Sequence, residues 1–280
     1  MAPRYKVTVC GFGLIGGSIA LDLFARRPRP IINAHDHSRV LLGVGKDARF
    51  PVQTEREWHR AVDGCDILIL SAPLNANRTL LRLAAKTKSL RDCLIVVVGS
   101  AKSSICTLGK KCSFAEGTQF VGCHPMAGTE KSGFQNAGKG LFRGNPWFVD
   151  SGVRLTKGNR AKLRWLTSAL RAQVVSITPM DHDQMVAAIS HLPQILSTLL
   201  ASQFPPKVLR LAGPGLKSLL RLAGSPYSLW SDIIEENRQE IVDALTNYRD
   251  NLSTIISQMK RKQSLKPVFD SAVRSYRCLS

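Results

Sequence analysis

The sequence lacks an uninterrupted apolar segment of the length that a membrane span requires. A bilayer crossing needs about 20 predominantly apolar residues, and no uninterrupted apolar run in this 280-residue chain approaches that length. The N-terminal Met1-Ala-Pro-Arg leads straight into a short strand-like segment, without the long apolar stretch and small-residue cleavage site of a signal peptide. We therefore expect a soluble, cytoplasmic protein without a membrane partner.

Regularly spaced cysteines are also lacking. The chain contains 7 cysteines, an odd number, and none of them forms a C-x-x-C pair. Disulfide frameworks and structural zinc sites need paired or regularly spaced cysteines. The pattern therefore predicts reduced thiols, mostly buried, and no metal site.

Acidic residues are scarce: 20 Asp and Glu stand against 39 Lys and Arg, which gives a net charge of +19. Such a charge is found in proteins that bind nucleic acid, and it can also steer anionic small molecules toward a cleft. The basic residues are scattered, with only a mild concentration at Lys260-Arg-Lys. We therefore predict no nucleic-acid partner.

The first 178 residues alternate short apolar runs with segments that are compatible with helices. Continuously apolar runs such as Ile67-Leu-Ile-Leu are typical of central strands that are covered on both faces. The alternation predicts an α/β domain with a Rossmann-type, doubly wound parallel sheet. The predicted strands occupy residues 6–10, 31–35, 66–72, 93–98, 120–123, 147–150 and 174–178, and the predicted helices occupy residues 15–26, 55–62, 77–87 and 159–172.

We predict that residues 179–280 form an all-α C-terminal domain. Asp181 or Asp183 is expected to cap its first helix, and Ser225-Pro226 is a good start for a long later helix. Apolar residues recur along that helix at steps of four and three, which is typical of helix–helix packing, either within the chain or with a second copy. These residues are Ile241, Leu245, Tyr248, Leu252, Ile255 and Met259.

The glycine motif Gly11-Phe-Gly-Leu-Ile-Gly16 follows the first predicted strand and opens the first predicted helix. Gly11 permits a tight turn, Gly13 lets backbone amides approach a pyrophosphate, and Gly16 allows helix and strand to pack closely. Because the strand–turn–helix context is present, the motif predicts dinucleotide binding. The predicted cofactor-binding residues are Gly11, Phe12, Gly13, Leu14, Ile15, Gly16, Asp36, Ser71 and Pro73.

Asp36 ends the second predicted strand, where dinucleotide-binding proteins place an acidic residue that accepts the ribose hydroxyls. Its alternative role is an ordinary turn or helix-cap residue. Arg39 stands nearby, and an arginine at this point can receive the additional phosphate of NADP. An anionic Asp36 would repel that phosphate, so we predict NAD as the cofactor, with NADP as the alternative.

Ser100, Lys102 and His124 follow two later predicted strands. The carboxyl ends of parallel strands face the crevice in which a dinucleotide binds, so these side chains can converge beside the nicotinamide. Removing hydride from an alcohol carbon requires a base for the hydroxyl proton, and histidine suits that task near neutral pH. His124 is therefore the candidate base, with a purely structural histidine as the alternative.

Five motifs occur in an order that resembles the prephenate/arogenate dehydrogenases over nearly the whole chain. They are Gly99-Ser-Ala-Lys, His124-Pro-Met-Ala-Gly, Asp181-His-Asp, Ser190-His-Leu-Pro and Arg221-Leu-Ala-Gly-Ser-Pro-Tyr-Ser-Leu-Trp. The resemblance implies NAD(P)-dependent oxidative decarboxylation of prephenate to 4-hydroxyphenylpyruvate, or of arogenate to tyrosine, in tyrosine biosynthesis. It also implies a homodimer that forms through the C-terminal helices.

The resemblance assigns His124 as the base for the substrate's ring hydroxyl, with Ser100 orienting that hydroxyl or the imidazole. A helix N-cap is the alternative role of Ser100. Arg221 matches the family's substrate-binding arginine, whose planar fork suits a carboxylate. Substrate contacts are also expected from His191, Lys217 and Lys102, although His191 can instead be a core histidine and Lys102 a solvated lysine.

The chain departs from the family pattern at two points. Val97 stands where an acidic residue is common, and Gly215-Leu-Lys-Ser-Leu-Leu-Arg221 replaces the usual Gly-Phe-Arg-Asp-Thr-Thr-Arg. Two alternatives stay open. One is a related β-hydroxyacid-type dehydrogenase with the same glycine loop and helical C-terminal domain, and the other is a non-catalytic NAD-binding sensor protein, which the altered 215–221 stretch and the high positive charge favour. Glu130 is a candidate partner for the amino group that distinguishes arogenate from prephenate.

Overall fold

The computed structural model describes residues 4–128 and 131–279, and Glu130 therefore lies outside the described residues. Within these ranges the chain forms one mixed sheet and a following set of helices. The strands are β1 Lys6–Cys10, β2 Ile31–His35, β3 Gln53–Thr54, β4 Ile67–Leu70, β5 Leu94–Val98, β6 Gln119–Pro125, β7 Pro146–Asp150 and β8 Gln173–Ile177. The helices are α1 Leu14–Leu23, α2 Ser38–Lys46, α3 Trp58–Val62, α4 Leu74–Lys86, α5 Ser103–Lys111, α6 Lys157–Leu170, α7 Pro179–Val186, α8 Leu192–Ser202, α9 Pro206–Leu209, α10 Pro214–Leu220, α11 Tyr227–Glu236, α12 Arg238–Lys260 and α13 Lys266–Tyr276.

The sheet has the strand order β3-β2-β1-β4-β5-β6-β7-β8. The chain first builds outward from β1 toward β3 and then returns to place β4 on the other side of β1. This reversal is the point at which doubly wound sheets bind ligands, beyond the carboxyl ends of the strands. The central strands β4 and β5 have fully buried apolar side chains, as the predicted cover of helices on both faces requires.

The predicted doubly wound, mostly parallel sheet is confirmed, and one strand departs from it: β7 pairs antiparallel with β6. A parallel neighbour needs a crossover connection, usually through a helix. The described residues between β6 and β7 contain only a short 3-10 turn at Phe134–Asn136. After this connection β7 runs beside β6 in the opposite direction, and β8 then pairs parallel with β7.

The first C-terminal helix begins differently from the prediction. Thr178 is the N-cap of α7, and its hydroxyl oxygen accepts the backbone N–H of Asp181 at 3.2 Å. Capping by Asp181 or Asp183 was therefore a wrong prediction. The Asp183 carboxylate instead accepts the N–H groups of Lys102 and Ser103, both at 2.7 Å, at the start of α5. A residue of the helical domain thus caps a helix of the sheet domain.

The long helix predicted from Ser225-Pro226 is two helices, α11 and α12, which meet at Asn237. The Asn237 side chain is buried, and its Nδ2 donates to the Asp183 carbonyl oxygen at 2.8 Å and lies 3.2 Å from Nδ1 of His191. The backbone of Asn237 leaves the helical region, with φ −110° and ψ 25°. The break places the side-chain amide of Asn237 beside the Asp183 carbonyl group and the His191 ring, which are buried and need a hydrogen-bond partner.

One continuous helical stretch, Pro179–Ser202, has the length and composition of a membrane span, with a mean hydropathy of 1.4 over its most apolar window. The sequence reading did not anticipate it, because polar residues interrupt the apolar run. A single helix of this kind is weak evidence for a membrane span, since helices of soluble proteins pass the same test. Here the stretch carries buried His182, Asp183 and His191, and Asp183 bonds to the sheet domain.

Candidate active site

The glycine loop between β1 and α1 has the geometry that close approach of a phosphate requires. Gly11 has φ +84°, and a Cβ added there would lie 2.3 Å from the Ala72 nitrogen. A Cβ on Gly16 would lie 2.5 Å from the Gly11 carbonyl oxygen, whereas one on Gly13 would meet no described atom within 4 Å. Gly11 and Gly16 therefore permit tight packing, and Gly13 leaves the helix N-terminus open to an anion.

Asp36 holds this loop in place. Its Oδ2 accepts the backbone N–H of Phe12 and its Oδ1 accepts that of His37, both at 2.6 Å. A carboxylate oxygen has more than one lone pair, so both oxygens still have capacity to accept a ribose hydroxyl. The Phe12 side chain is fully buried against Phe50, so only its backbone faces the loop.

A cavity of about 670 Å³ lies beside this loop. Of the predicted cofactor residues, Gly11, Asp36 and Pro73 line it, while the Ser71 hydroxyl instead donates to the Gly11 carbonyl oxygen at 2.9 Å. Arg39 is not among its lining residues, and Arg56 is the arginine that lines it. The full lining is Gly11, His35, Asp36, His37, Arg56, Ala72, Pro73, Ala76, Thr79 and Leu80. The open helix terminus and the ribose acceptor together fit a dinucleotide.

A second cavity, of about 520 Å³, lies at the carboxyl ends of β5 and β6, where the helical domain covers the sheet. It brings together four predicted residues from four separate segments: Ser100, His124, His191 and Arg221. Ser100 is not the N-cap of α5, because Lys102 occupies that position. The remaining lining residues are Pro125, Met126, Ala127, Gly128, Leu141, Asn145, Ser190, Gln194, Leu222, Ser225, Leu229, Trp230 and Ile233.

The structure does not bring Lys102 and Lys217 to this cavity. The Lys102 side chain is 2% exposed, and its Nζ has no hydrogen-bond partner among the described residues. Burial lowers the pKa of this ammonium group below its usual range. Lys217 is exposed on α10, one helical turn before Arg221. Both therefore stay predictions as substrate contacts.

His124 is the end of a chain of hydrogen bonds that runs away from the cavity. Its Nδ1 lies 2.9 Å from Nε2 of His182, and Nδ1 of His182 lies 2.8 Å from Oδ1 of Asp183. Burial holds the pKa of His124 well below its usual value of 6.5, and the positive charge of Lys102 lowers it further. His124 is therefore uncharged near neutral pH, which is the form that a general base requires.

His191 is buried, as a core histidine is, and it also lines the second cavity, while its contact with substrate stays a prediction. Burial lowers its pKa to about 4, so the ring is uncharged near neutral pH. Because Asn237 donates to Nδ1 at 3.2 Å, the single ring proton is on Nε2, which can donate to a ligand. Trp230 packs against the ring edge-to-face, with centroids 5.8 Å apart.

Sequence reasoning assigned no role in the active site to His182, Asp183, Asn237 or Gln194, and it considered Asp183 only as a helix cap. His182 and Asp183 stand in the Asp181-His-Asp motif, which otherwise served as a family marker. Gln194 lies one helical turn after His191 on the same face, and its Nε2 donates to the Leu222 carbonyl oxygen at 2.9 Å. The helical spacing of Gln194 from His191 could have predicted that both face the same site. No sequence pattern could have predicted the contact of Asn237 with Asp183, because the two are 54 residues apart in the sequence.

Comparison with known proteins gives consistent matches. The prephenate dehydrogenase nucleotide-binding domain family matches residues 19–170, and the prephenate dehydrogenase dimerization domain family matches residues 178–268. The prephenate dehydrogenase of Lactococcus lactis subsp. cremoris is 30% identical over 266 residues, which is 92% of this chain and 72% of that protein. The Bacillus subtilis prephenate dehydrogenase is 29% identical, over 90% of this chain and 70% of that protein.

Solved structures show the same fold. Prephenate dehydrogenase from Aquifex aeolicus, in complex with hydroxyphenyl propionate and NAD+, has a TM-score of 0.85 at 22% identity over 99% of this chain and 98% of that chain. Synechocystis arogenate dehydrogenase has a TM-score of 0.77 at 24% identity over 98% of this chain and 100% of that chain.

The two family matches together cover most of the chain and meet where the sheet gives way to the helices. They confirm the resemblance that the ordered motifs indicated and the Rossmann-type fold followed by an all-α domain. The chain therefore belongs to the prephenate dehydrogenase family and is a nicotinamide-dinucleotide-dependent oxidoreductase of that family.

Proposed function

We propose that this protein catalyses the oxidative decarboxylation of prephenate to 4-hydroxyphenylpyruvate, or of arogenate to tyrosine, with NAD as the cofactor. The observation that carries the proposal is the second cavity, where an uncharged His124, Ser100 and Arg221 face the same space. The names of the relatives and the NAD+ complex of the Aquifex aeolicus protein support it further.

The roles follow from the chemistry of each side chain. Arg221 binds a substrate carboxylate through its planar fork, and Ser100 orients the ring hydroxyl toward His124. His124 takes the proton of this hydroxyl while a hydride leaves the ring carbon that carries the hydroxyl. A bound nicotinamide supplies the hydride acceptor, and loss of the ring carboxylate as carbon dioxide leaves an aromatic ring.

Residues of the glycine loop and the first cavity would hold the cofactor. The amides at the start of α1, from Leu14 and Ile15 onward, would meet the pyrophosphate. Asp36 would accept the ribose hydroxyls, and its negative charge disfavours the additional phosphate of NADP. Arg56 lines the same cavity, and its guanidinium group would pair with the additional phosphate if NADP were bound.

A crossed assay of nicotinamide reduction tests this function directly. NAD and NADP are each combined with prephenate and arogenate, and the absorbance of the reduced nicotinamide is followed. We expect turnover with NAD and with at least one of the two substrates. No turnover in any combination, with NAD binding intact, would contradict the proposal and favour the alternatives of a different hydroxyacid substrate or a non-catalytic NAD sensor.

The pH profile of the reaction tests the state of His124. Because burial and Lys102 hold the pKa of His124 well below 6.5, the ring stays unprotonated as the pH falls through 6.5. We therefore expect kcat/KM to remain level from slightly alkaline pH down through 6.5 and to fall only at lower pH. A profile that has already lost half of kcat/KM at pH 6.5 would contradict the assignment.

We also propose that two copies assemble through the C-terminal helices. Ile241 is 3% exposed, but Tyr248, Leu252 and Met259 on the same helical seam are 44%, 47% and 61% exposed, so the chain's own core covers only the start of the seam. Light scattering should give a mass of twice 30.7 kDa, and a Leu252→Glu change should reduce it. A single-chain mass for the unchanged protein would contradict this assembly.

We further propose that residues 1–178 and 179–280 are the dinucleotide-binding domain and the substrate-binding and dimerisation domain. The end of β8 at Ile177 and the start of α7 at Pro179 support this division.

We propose a cytoplasmic location because the 7 cysteines are free thiols, and free thiols persist in a reducing compartment. Fluorescent tagging of the protein in cells tests the location.

A further inference from the structure

His182 and Asp183 form a buried hydrogen-bonded pair directly behind His124. The His182 side chain is 0% exposed, and Asp183 is 3% exposed. Neither residue lines the second cavity, so neither can touch a ligand there. The side chains of this pair connect to a cavity residue through the hydrogen bond between His182 and the imidazole of His124.

The proton positions along this chain follow from the acceptor at its end. The Asp183 carboxylate accepts two backbone N–H groups at the start of α5, both at 2.7 Å. These bonds and the bond from His182 outweigh the effect of burial, and they hold the pKa of Asp183 below its usual range. An ionised carboxylate only accepts hydrogen bonds. The ring proton of His182 is therefore on Nδ1, 2.8 Å from Asp183 Oδ1.

The tautomer of His182 then fixes the tautomer of His124. With its proton on Nδ1, an uncharged His182 has a lone pair on Nε2. That lone pair faces Nδ1 of His124 at 2.9 Å, so His124 donates its own proton there. Its Nε2 is left as the unprotonated nitrogen, and that is the nitrogen available for the cavity.

We infer that His182 and Asp183 are positioning residues that hold His124 in the tautomer with an unprotonated Nε2, an inference that rests on the proposed role of His124 as the base. The arrangement parallels the hydrogen-bonded aspartate that fixes the histidine tautomer in serine proteases. Here a second histidine stands between the carboxylate and the base. When Nε2 takes the hydroxyl proton, the positive charge that forms on His124 is stabilised through His182 by the charge of Asp183.

Nearby charges support a fixed tautomer rather than a charged pair. Burial lowers the pKa of both His124 and His182, and the Lys102 ammonium group lowers it further, so both rings are uncharged before reaction. Phe148 packs edge-to-face on His182 with ring centroids 5.2 Å apart and lies against His124 at 6.3 Å. These contacts fix the orientations of the two imidazole rings relative to each other.

The first test reads the tautomer without any turnover. Long-range nitrogen–proton NMR of histidine-labelled protein should show the His124 proton on Nδ1 in the unliganded enzyme. A proton on Nε2 would overturn the inference. This result is independent of the substrate, so it separates a failure of the inference from a failure of the proposed function.

The second test compares two substitutions of His182. His182→Leu removes the acceptor for the His124 proton, whereas His182→Gln retains a carbonyl oxygen that can accept it. We expect His182→Leu to lower kcat by roughly 10- to 100-fold, which is the loss seen when the partner that orients a metal-bound histidine is removed, with KM and NAD affinity close to unchanged. His182→Gln should recover most of kcat. Equal loss in both variants, or loss in neither, would overturn the inference.

Asp181→Asn is the matched control. Asp181 stands on the same helix and carries the same charge, but it is exposed and bonds to Thr178 rather than to the chain behind His124. We expect it to leave kcat unchanged, whereas Asp183→Asn should lower kcat by at least as much as His182→Leu. Equal effects of Asp181→Asn and Asp183→Asn would show that only the overall charge matters, and would overturn the inference.

Discussion

Replacement of His124 by alanine should lower kcat by roughly two to four orders of magnitude, the usual contribution of a positioned general base. His124 lines the second cavity at the end of β6 and is held uncharged by burial. Alanine removes the proton acceptor without touching the glycine loop. NAD affinity, measured by fluorescence titration, should therefore stay within a few-fold of its original value.

The control for this prediction is His59→Ala. His59 is exposed on α3 and lines neither cavity, so its removal should change neither kcat nor NAD affinity. Thermal unfolding of both variants shows whether each is folded. Unchanged turnover in folded His124→Ala protein would refute the assignment of His124 as the base.

Replacement of Arg221 by alanine should mainly weaken substrate binding. Loss of one partner of a desolvated charge pair costs about 2–5 kcal/mol. Arg221 is exposed to water in the isolated chain, so we expect the lower part of that range. A loss of about 2–3 kcal/mol corresponds to roughly a 30- to 150-fold rise in KM, with a smaller change in kcat. Steady-state kinetics with each substrate measures both.

Two further substitutions give this prediction its controls. Arg221→Lys keeps the charge but loses the planar fork, so its KM should fall between those of the unchanged protein and the alanine variant. Arg210→Ala removes an exposed arginine that does not line the cavity, and KM should not change. An unaltered KM in Arg221→Ala protein would remove Arg221 from the substrate site.

The basic composition of the chain makes these controls necessary. With a net charge of +19, removal of any arginine weakens the general attraction of anionic substrates. That contribution is screened by salt, whereas a direct contact at a cavity is screened less. Repeating the Arg221→Ala and Arg210→Ala measurements at raised ionic strength therefore separates the two contributions.

Local physical rules allowed the sheet domain to be predicted from the sequence. The continuous apolar run of β5 predicts a buried central strand, and residues 94–98 are buried in the structure. Gly11 precedes a helix and follows a strand, so its turn was predictable from the motif alone. The candidate residues Ser100 and His124 follow strand ends, and topology places strand ends at one edge of a sheet.

Local rules failed where a tertiary contact replaced a local one. Asp183 looked like a cap for its own helix, but Thr178 stands directly before Pro179 and takes that role. The Asp183 carboxylate is then free to cap α5, 80 residues earlier in the sequence. The alternative of a solvated Lys102 also failed, because its side chain packs into the interior.

The sequence by itself determined the fold class, the dinucleotide loop and the family, because periodicity, glycine spacing and motif order are local properties of a chain. Only the tertiary structure decided that His182 and Asp183 lie behind His124, that Asn237 interrupts a helix, and that Arg56 rather than Arg39 lines the first cavity. Those facts depend on distances between residues far apart in the chain. Such distances are fixed when the helical domain packs on the sheet, and no local pattern encodes them.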